Sequence, residues 1–285
     1  MSDMTGRVCL VTGATMGIGK EAARSLAHMG AEVVIVARDP DKAKQTVAEI
    51  GGSTSFVQCD FASLASIRAM CAEVRERHPK IHVLLNNAGA IFAKRDTTID
   101  GYERTFAVNH LGYFLTTTLL LDRLVASGEP GRTARIVNVA SAAHMGVRRG
   151  LDFDDLMNER FYGAGIDAYN KSKLANILFT YELARRVAGS PVTANCLHPG
   201  VIASGFGKNV PGIMKFLIGI AAPFMWTVEK GSRTSVKLAS SPEVEGVSGK
   251  YFDDKGRERR SSGVSYDEAA QKRLWAESER LVAPR

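Results

Sequence analysis

The chain predicts an α/β fold, a doubly wound parallel sheet of about seven strands with helices on both faces, and three observations carry that expectation. Apolar runs of strand length alternate along the sequence with longer segments whose apolar residues recur every three or four positions. The first strand runs into a glycine-rich turn that opens a helix. No Pro/Ser-rich linker, composition shift or internal repeat divides the 285 residues, so a single domain over 1–285 is expected. Strands are read at 7–11, 32–37, 54–59, 81–85, 135–139, 192–197 and 249–252. Helices are read near 17–29, 41–50, 64–77, 102–126, 168–187, 230–238 and 267–281. Two connections, 142–167 and 202–226, are longer than a strand-to-helix loop needs. Both follow the carboxyl ends of expected strands, where open parallel sheets bind ligands.

Composition narrows the function classes. With 45% hydrophobic and 24% charged residues the chain has the makeup of a globular protein, and its 27 glycines carry no Gly-X-Y period. Cys9, Cys59, Cys71 and Cys196 form no Cys-x-x-Cys pair and have no zinc-finger partners, so neither a disulfide framework nor a metal site is expected. Three of them fall in strand-like apolar runs, where a free thiol behaves as a small hydrophobe. The net charge of +7 admits an anionic partner, but the positives are scattered and no basic stretch is interleaved with aromatics, so nucleic acid is not expected. Asp3, Arg7 and Lys20 precede or open the first elements, so no signal peptide or N-terminal anchor is expected, and a cytoplasmic location is.

The glycine turn reads Thr12-Gly13-Ala14-Thr15-Met16-Gly17-Ile18-Gly19-Lys20. Gly13 permits a tight turn, while Gly17 and Gly19 let a pyrophosphate and the sheet approach the helix N-terminus, whose free N–H groups attract phosphate. The second strand ends Val36-Ala37-Arg38-Asp39. A carboxylate at the strand tip would bond an adenosine ribose, whereas an arginine pairs with a 2′-phosphate; Arg38 therefore favours NADP(H) over NAD(H), with Asp39 close enough to keep both open. Asp60, after the third strand, would face the adenine edge or cap the next helix. Asn86-Asn87-Ala88-Gly89, after the fourth, offers small residues and amides against which a cofactor can lie, a composition that a plain turn also favours.

Ser141 ends the fifth strand, and Tyr169 and Lys173 lie one helical turn apart on a common face. A phenol of pKa near 10 needs about 4 kcal/mol of preference for its anion to work about three units lower, which a nearby ammonium and an oxidised nicotinamide can supply. Tyr169 would then give a proton to a carbonyl oxygen that Ser141 also hydrogen-bonds.

Together these residues resemble the short-chain dehydrogenase/reductase family in its classical, single-domain Rossmann form, over nearly the whole chain. The 12–19 turn is similar to that family's cofactor motif, and Asn86 to Gly89 to its Asn-Asn-Ala-Gly signature. The resemblance implies that Asn109 holds a water in a proton relay, and that Ser141, Tyr169 and Lys173 complete the catalytic set. It also implies that Pro199, Gly200, Ile202 and Ser204 contact the nicotinamide. Val108-Asn109-His110-Leu111-Gly112, Ser172-Lys173-Leu174-Ala175-Asn176 and Leu274-Trp275-Ala276-Glu277-Ser278 resemble the retinol dehydrogenase-like branch, as does the separation of 28 positions between Ser141 and Tyr169. Thr15-Met16 replaces the more usual Asn followed by Ser or Thr.

The implied activity is hydride transfer between NADP(H) and a lipophilic ketone, aldehyde or alcohol; a catalytically idle dinucleotide-binding sensor or scaffold is the alternative. The apolar 210–226 stretch, interrupted by Pro211, Lys215 and Pro223, is too short for a membrane span and reads as a substrate lid, a dimer contact or a peripheral membrane contact. The resemblance allows a homo-oligomer through the helices carrying Asn109 and Tyr169. His110 and His198 flank the expected site and read as structural, while His144 could reach a substrate from the first long connection.

Overall fold

The computed structural model describes residues 2–200 and 226–284. β1 (Val8–Thr12), α1 (Gly17–His28), β2 (Glu32–Ala37), α2 (Pro40–Ile50), β3 (Thr54–Gln58), α3 (Leu64–Arg77) and β4 (Val83–Asn86) form the first half. The short α4 (Arg104–Phe106), a π-helical turn (Ala107–Leu111), α5 (Gly112–Ser127), β5 (Ala134–Val139), α6 (Ile166–Arg186) and β6 (Val192–Leu197) follow. α7 (Val228–Ser240), β7 (Tyr251–Phe252), β8 (Glu258–Arg259) and α8 (Glu268–Val282) complete the described chain. The sheet order is β3-β2-β1-β4-β5-β6-β7-β8, parallel as far as β7. The winding direction reverses between β1 and β4, and that reversal opens a crevice at the carboxyl ends of the strands.

Successive strand residues point to opposite faces, and the two faces are both apolar. Leu10, Val34, Val36, Leu84, Ile136 and Ala194 pack with side chains of α3, α5, α6 and α8. Cys9, Val11, Val33, Ile35, Val83, Leu85 and Val137 pack with α1, α2 and α7 on the other side. This is why the strands read as continuous apolar runs rather than alternating ones. All four cysteines are free and buried, and burial pushes each thiol up to about 12, so they serve as apolar packing atoms.

Three sequence expectations are corrected. The described sheet has eight strands, not seven. The added β8 is a two-residue, exposed antiparallel strand whose register is set by a turn around Asp253. That carboxylate accepts hydrogen bonds from the backbone of Lys255 and Arg257 and from the guanidinium groups of Arg257 and Arg259. No apolar pattern announces so short and polar a strand, and the guanidinium groups of Arg257 and Arg259 are tied up in building it. The helix expected over 102–126 starts at Arg104, where the Glu103 carboxylate accepts from the backbone N–H groups of Thr105 and Phe106, and is interrupted by the π turn. The 142–167 connection contains 3-10 turns at Ala142–Gly146 and Gly163–Gly165, and α6 begins at Ile166. Tyr162 fastens it by donating to the Phe92 carbonyl at 2.8 Å. The 202–226 connection lies, except for Trp226, outside the described residues.

Gly13 has φ +67°, and a Cβ there would sit 2.7 Å from the Ala88 Cα, which is backbone and cannot yield. Gly52 has a similar φ of +59° but open space around it. Gly13→Ala should therefore lose about 2–4 kcal/mol of stability and Gly52→Ala only about 1 kcal/mol. Urea unfolding midpoints of the two variants measure the difference, and equal losses would refute the close approach of β1 to the segment after β4.

Candidate active site

The crevice is held by side chains at the ends of β1 and β4. Thr12 Oγ1 accepts from the backbone N–H groups of Asn87 and Ala88, each at 2.9 Å, and Asn87 Nδ2 donates to the carbonyls of Thr12 and Gly13 at 2.8 and 3.1 Å. Asn87 thus holds the glycine turn with its amide N–H groups. Thr12 is the residue the sequence reading missed; it closes the first strand like any β-branched residue, and only the register with β4 reveals its hydroxyl's function. Ala88 is buried against Gly13.

The turn residues Thr15 and Met16 precede α1, and Met16 is the residue at its N-cap without any side-chain cap. No acidic residue occupies the first turn of α1. The first-turn N–H groups of Gly17, Ile18 and Gly19 therefore have neither a capping side chain nor a carboxylate competing for them, an arrangement suited to a phosphate. At Gly19 a Cβ would lie 2.3 Å from Asn87 Nδ2 and 2.5 Å from the Gly13 carbonyl, so only glycine allows the helix this close to the sheet. These features fit a dinucleotide pyrophosphate.

At the tip of β2, Arg38 is exposed. Asp39 is the N-cap of α2, accepting from the backbone of Asp41 and Lys42 at 3.1 and 3.2 Å and pairing with the Lys42 ammonium at 3.0 Å. Asp60 does not cap α3; Ser63 does, and Asp60 accepts from the Ala62 N–H at 3.0 Å at the end of β3. Pro199 and Gly200 follow β6, with Gly200 at φ +91° beside Asp254 and Trp226. Ile202 and Ser204 lie outside the described residues.

Asn109 sits in the π turn, a type of helix irregularity common at functional sites. Its Oδ1 accepts from the Ala90 N–H at 2.8 Å, and its Nδ2 donates to the Ala90 carbonyl at 2.9 Å and to Ser172 Oγ at 3.0 Å. It therefore joins the segment after β4 to α6. A Cβ on Gly89 would lie 3.4 Å from both Asn109 Oδ1 and Lys173 Nζ, so these groups surround one point.

Ser141 lies two residues beyond β5, as the N-cap of the 3-10 turn, where its Oγ accepts from the Ala143 N–H at 3.2 Å. The same hydroxyl hydrogen-bonds Tyr169. Lys173 is buried, donates to the Val139 carbonyl at 2.9 Å, and holds its Nζ 5.6 Å from the Tyr169 ring centre and 5.8 Å from that of Tyr113. Three elements, the π turn, the 3-10 turn after β5 and α6, thus bring Asn109, Ser141, Tyr169 and Lys173 together. From the sequence, a nearby ammonium and an oxidised nicotinamide are expected to lower the phenol; with the protein's own groups alone the shift runs the other way. Burial pushes Tyr169 up to about 12, opposed by Ser141, and burial pulls Lys173 down to about 7. Desolvation is the largest cause of both displacements, because each group gives up water on burial.

Among the histidines, His110 is a core residue bonded to Ser278 Oγ at 2.8 Å and packed among Phe106, Phe114 and Phe179. His198 follows β6 and donates its backbone N–H to the Phe252 carbonyl. His144 is fully buried with both ring nitrogens bonded to backbone, so it does not reach toward a substrate. No cluster of three or more His, Cys, Asp or Glu among the described residues is placed to hold a metal. No helix among them is long and apolar enough to cross a membrane.

The Lys173 amine has a folded pKa below its unfolded value of 10.5, so from about pH 7 upward the unfolded chain carries a proton that the folded protein lacks. Stability must rise with pH across that window on this account. The stability of the natural protein minus that of Lys173→Met should increase between about pH 7 and 9.5, with a slope approaching about 1.4 kcal/mol per pH unit. Urea titrations of both proteins measure this, and parallel pH curves would show that the amine is not buried.

The short chain dehydrogenase family profile matches residues 7–151. Human retinol dehydrogenase 14 is 40% identical, over 98% of this chain and 87% of its own length. Human polyprenol dehydrogenase is 41% identical, over 95% of this chain and 84% of its own length. The crystal structure of an uncharacterized protein from Mycobacterium paratuberculosis superposes with a TM-score of 0.79 at 30% identity, covering 99% of this chain and 95% of that one. The 3-ketoacyl-(acyl-carrier-protein) reductase of Brucella melitensis, crystallised with NADH, superposes with a TM-score of 0.71 at 26% identity, covering 92% of this chain and 99% of its own. With the crevice, the glycine turn and these likenesses in agreement, the chain belongs to the short chain dehydrogenase family, in its retinol dehydrogenase-like branch, and is an oxidoreductase.

Proposed function

We propose that the protein transfers a hydride between NADP(H) and the carbonyl or alcohol carbon of a lipophilic substrate, with Tyr169 as general acid and base. The observation that carries this reading is the convergence of the Ser141 hydroxyl, the Tyr169 phenol and the Lys173 amine, with Lys173 and Asn109 also beside Gly89 after β4. The names of two relatives specify retinol and polyprenol, and both point to an apolar alcohol or aldehyde as substrate here.

The residues around the crevice divide the work. The turn of Gly13, Thr15, Met16, Gly17, Ile18 and Gly19 takes the pyrophosphate; Asp60, Asn87, Ala88 and Gly89 flank the adenosine and ribose; Pro199, Gly200, Ile202 and Ser204 border the nicotinamide. Nicotinamide, when bound, supplies or accepts the hydride. Tyr169 gives its proton to the substrate oxygen in reduction and takes it back in oxidation, while Ser141 donates a hydrogen bond to that same oxygen. Lys173, anchored on the Val139 carbonyl, stabilises the phenolate when protonated. The side-chain amide of Asn109 is bonded to Ala90 and Ser172, so its main chain is the part left to hold a relay water.

NADP(H) is preferred because of how the two residues at the β2 tip are used. Asp39, which would have bonded a ribose diol, is committed to capping α2, and the exposed Arg38 guanidinium faces no carboxylate partner in any ion pair among the described residues.

Tyr169→Phe should bind NADPH nearly as well as the natural protein and lower kcat by about 10²–10⁴-fold toward lipophilic aldehydes. Absorbance at 340 nm follows turnover, fluorescence titration follows binding, and equal turnover would eliminate the phenol's role. Arg38→Leu should raise KM for NADPH by about 10- to 100-fold and leave that for NADH little changed, as loss of a charged phosphate contact requires. A parallel change for both cofactors would count against NADP(H) specificity.

A further inference from the structure

We propose that His144 is the positioning residue for Ser141, tying the backbone that carries its hydroxyl to the C-terminal segment through a single locked imidazole tautomer. The proposal rests on the oxidoreductase reading, since Ser141 has work to do only there. Ser141 needs such a tie because it sits outside the sheet, at the start of a five-residue 3-10 turn, and turns of that kind have poor hydrogen-bond geometry.

His144 supplies it twice over. Its backbone N–H donates to the Ser141 carbonyl at 3.2 Å, and its ring Nδ1 lies 2.6 Å from the same oxygen. On the far side of the ring, Nε2 lies 3.1 Å from the backbone N of Ser262, a residue 118 positions away. A backbone amide can only donate, so Nε2 must accept and the proton must sit on Nδ1, where it points at the Ser141 carbonyl. The Tyr251 ring packs edge-on against the imidazole at 5.2 Å between centres and fixes its plane. Burial lowers the proton affinity of the ring, in keeping with a neutral tautomer.

The Ser262 carbonyl in turn accepts from the backbone N–H and the hydroxyl of Ser265, at 3.0 and 2.6 Å. The hydroxyls of Tyr181, Ser261 and Ser265 form a buried chain with spacings of 2.7 and 2.6 Å, and Gln271 of α8 donates to the Ser265 carbonyl at 2.7 Å. Tyr181 belongs to α6, three turns beyond Tyr169. The tie therefore closes a circuit: Ser141, His144, Ser262, Ser261 and Tyr181 lead back to the helix that carries Tyr169 and Lys173. The distance from the Ser141 hydroxyl to the Tyr169 phenol is referenced to one rigid helix instead of to a loop, and misplacement of a reacting group by about 1 Å can cost as much as 10²-fold in rate.

The test combines a double-mutant cycle with spectroscopy on the whole enzyme saturated with NADP⁺ or NADPH. His144→Phe keeps the ring's packing but removes both nitrogens; it should lower kcat about tenfold with KM for NADPH within about twofold, and should change kcat less than about twofold in a Ser141→Ala background. His144→Asn, whose amide N–H can reach the Ser141 carbonyl, should recover most of the loss. An equal loss from His144→Phe in both backgrounds, or no loss in either, overturns the proposal. Two-bond ¹H–¹⁵N correlation spectra of the natural enzyme should show His144 protonated on Nδ1 only, and an Nε2–H tautomer overturns the proposal whatever the variants do. Absence of carbonyl turnover in the natural enzyme itself would instead defeat the oxidoreductase reading and leave the spectroscopic result to decide the tautomer.

Discussion

The join between β1 and β4 is the constraint on which the rest of the site depends. These neighbours mark the reversal of winding in the sheet, so the connections that leave them run in opposite directions and a crevice opens between them. Thr12 and Asn87 close that junction with four hydrogen bonds among buried or half-buried groups, and Gly13 lets the two chains come into backbone contact. From this fixed point α1 takes its approach to the sheet through Gly19, and Asn109 carries the reference onward to Ala90 and α6. Tyr169 and Lys173 are therefore positioned against the glycine turn by a continuous set of short contacts, although they are far from it in sequence.

Burial then decides the chemistry available in that place. Both the phenol and the amine are displaced toward their neutral forms, which is what burial in a low-dielectric site does to ionisable groups. An amine held to about 7 is close to the point where small changes in its surroundings alter its charge at neutral pH, so the pair is responsive rather than permanently ionised. On the proposed mechanism, a cationic nicotinamide in the crevice would add to the positive charge that favours phenolate.

Much of the architecture could be read from sequence because its causes are local. Strands buried on both faces leave continuous apolar runs, and helices over them leave a three-to-four period, so every strand of the parallel part was visible along with its covering helix. β8 was not, since two exposed polar residues held by the Asp253 turn have no pattern to detect. Asp60 and Asp39 illustrate the same limit at the site. On sequence grounds Asp60 could cap a helix or face the adenine, and Asp39 stands near enough to a ribose to keep both cofactors open; Ser63 proves to be the cap of α3 and Asp39 that of α2. His144 looked able to reach a substrate because sequence shows a polar ring in a long connection and not the distant Ser262 amide that holds it.

The sequence by itself determined the sheet, its helices, the glycine turn at the end of β1 and the helical spacing of Tyr169 and Lys173, because each of these follows from periodicity or from the steric properties of a few consecutive residues. Tertiary structure alone decided which polar side chains are consumed in joining elements, how Ser141 is brought to Tyr169 across 28 positions, and how far burial moves the phenol and the amine from their ordinary protonation. Those properties depend on atoms that are neighbours only after folding: the hydrogen-bond partner and the loss of water belong to the packed molecule and leave no trace in the order of the residues.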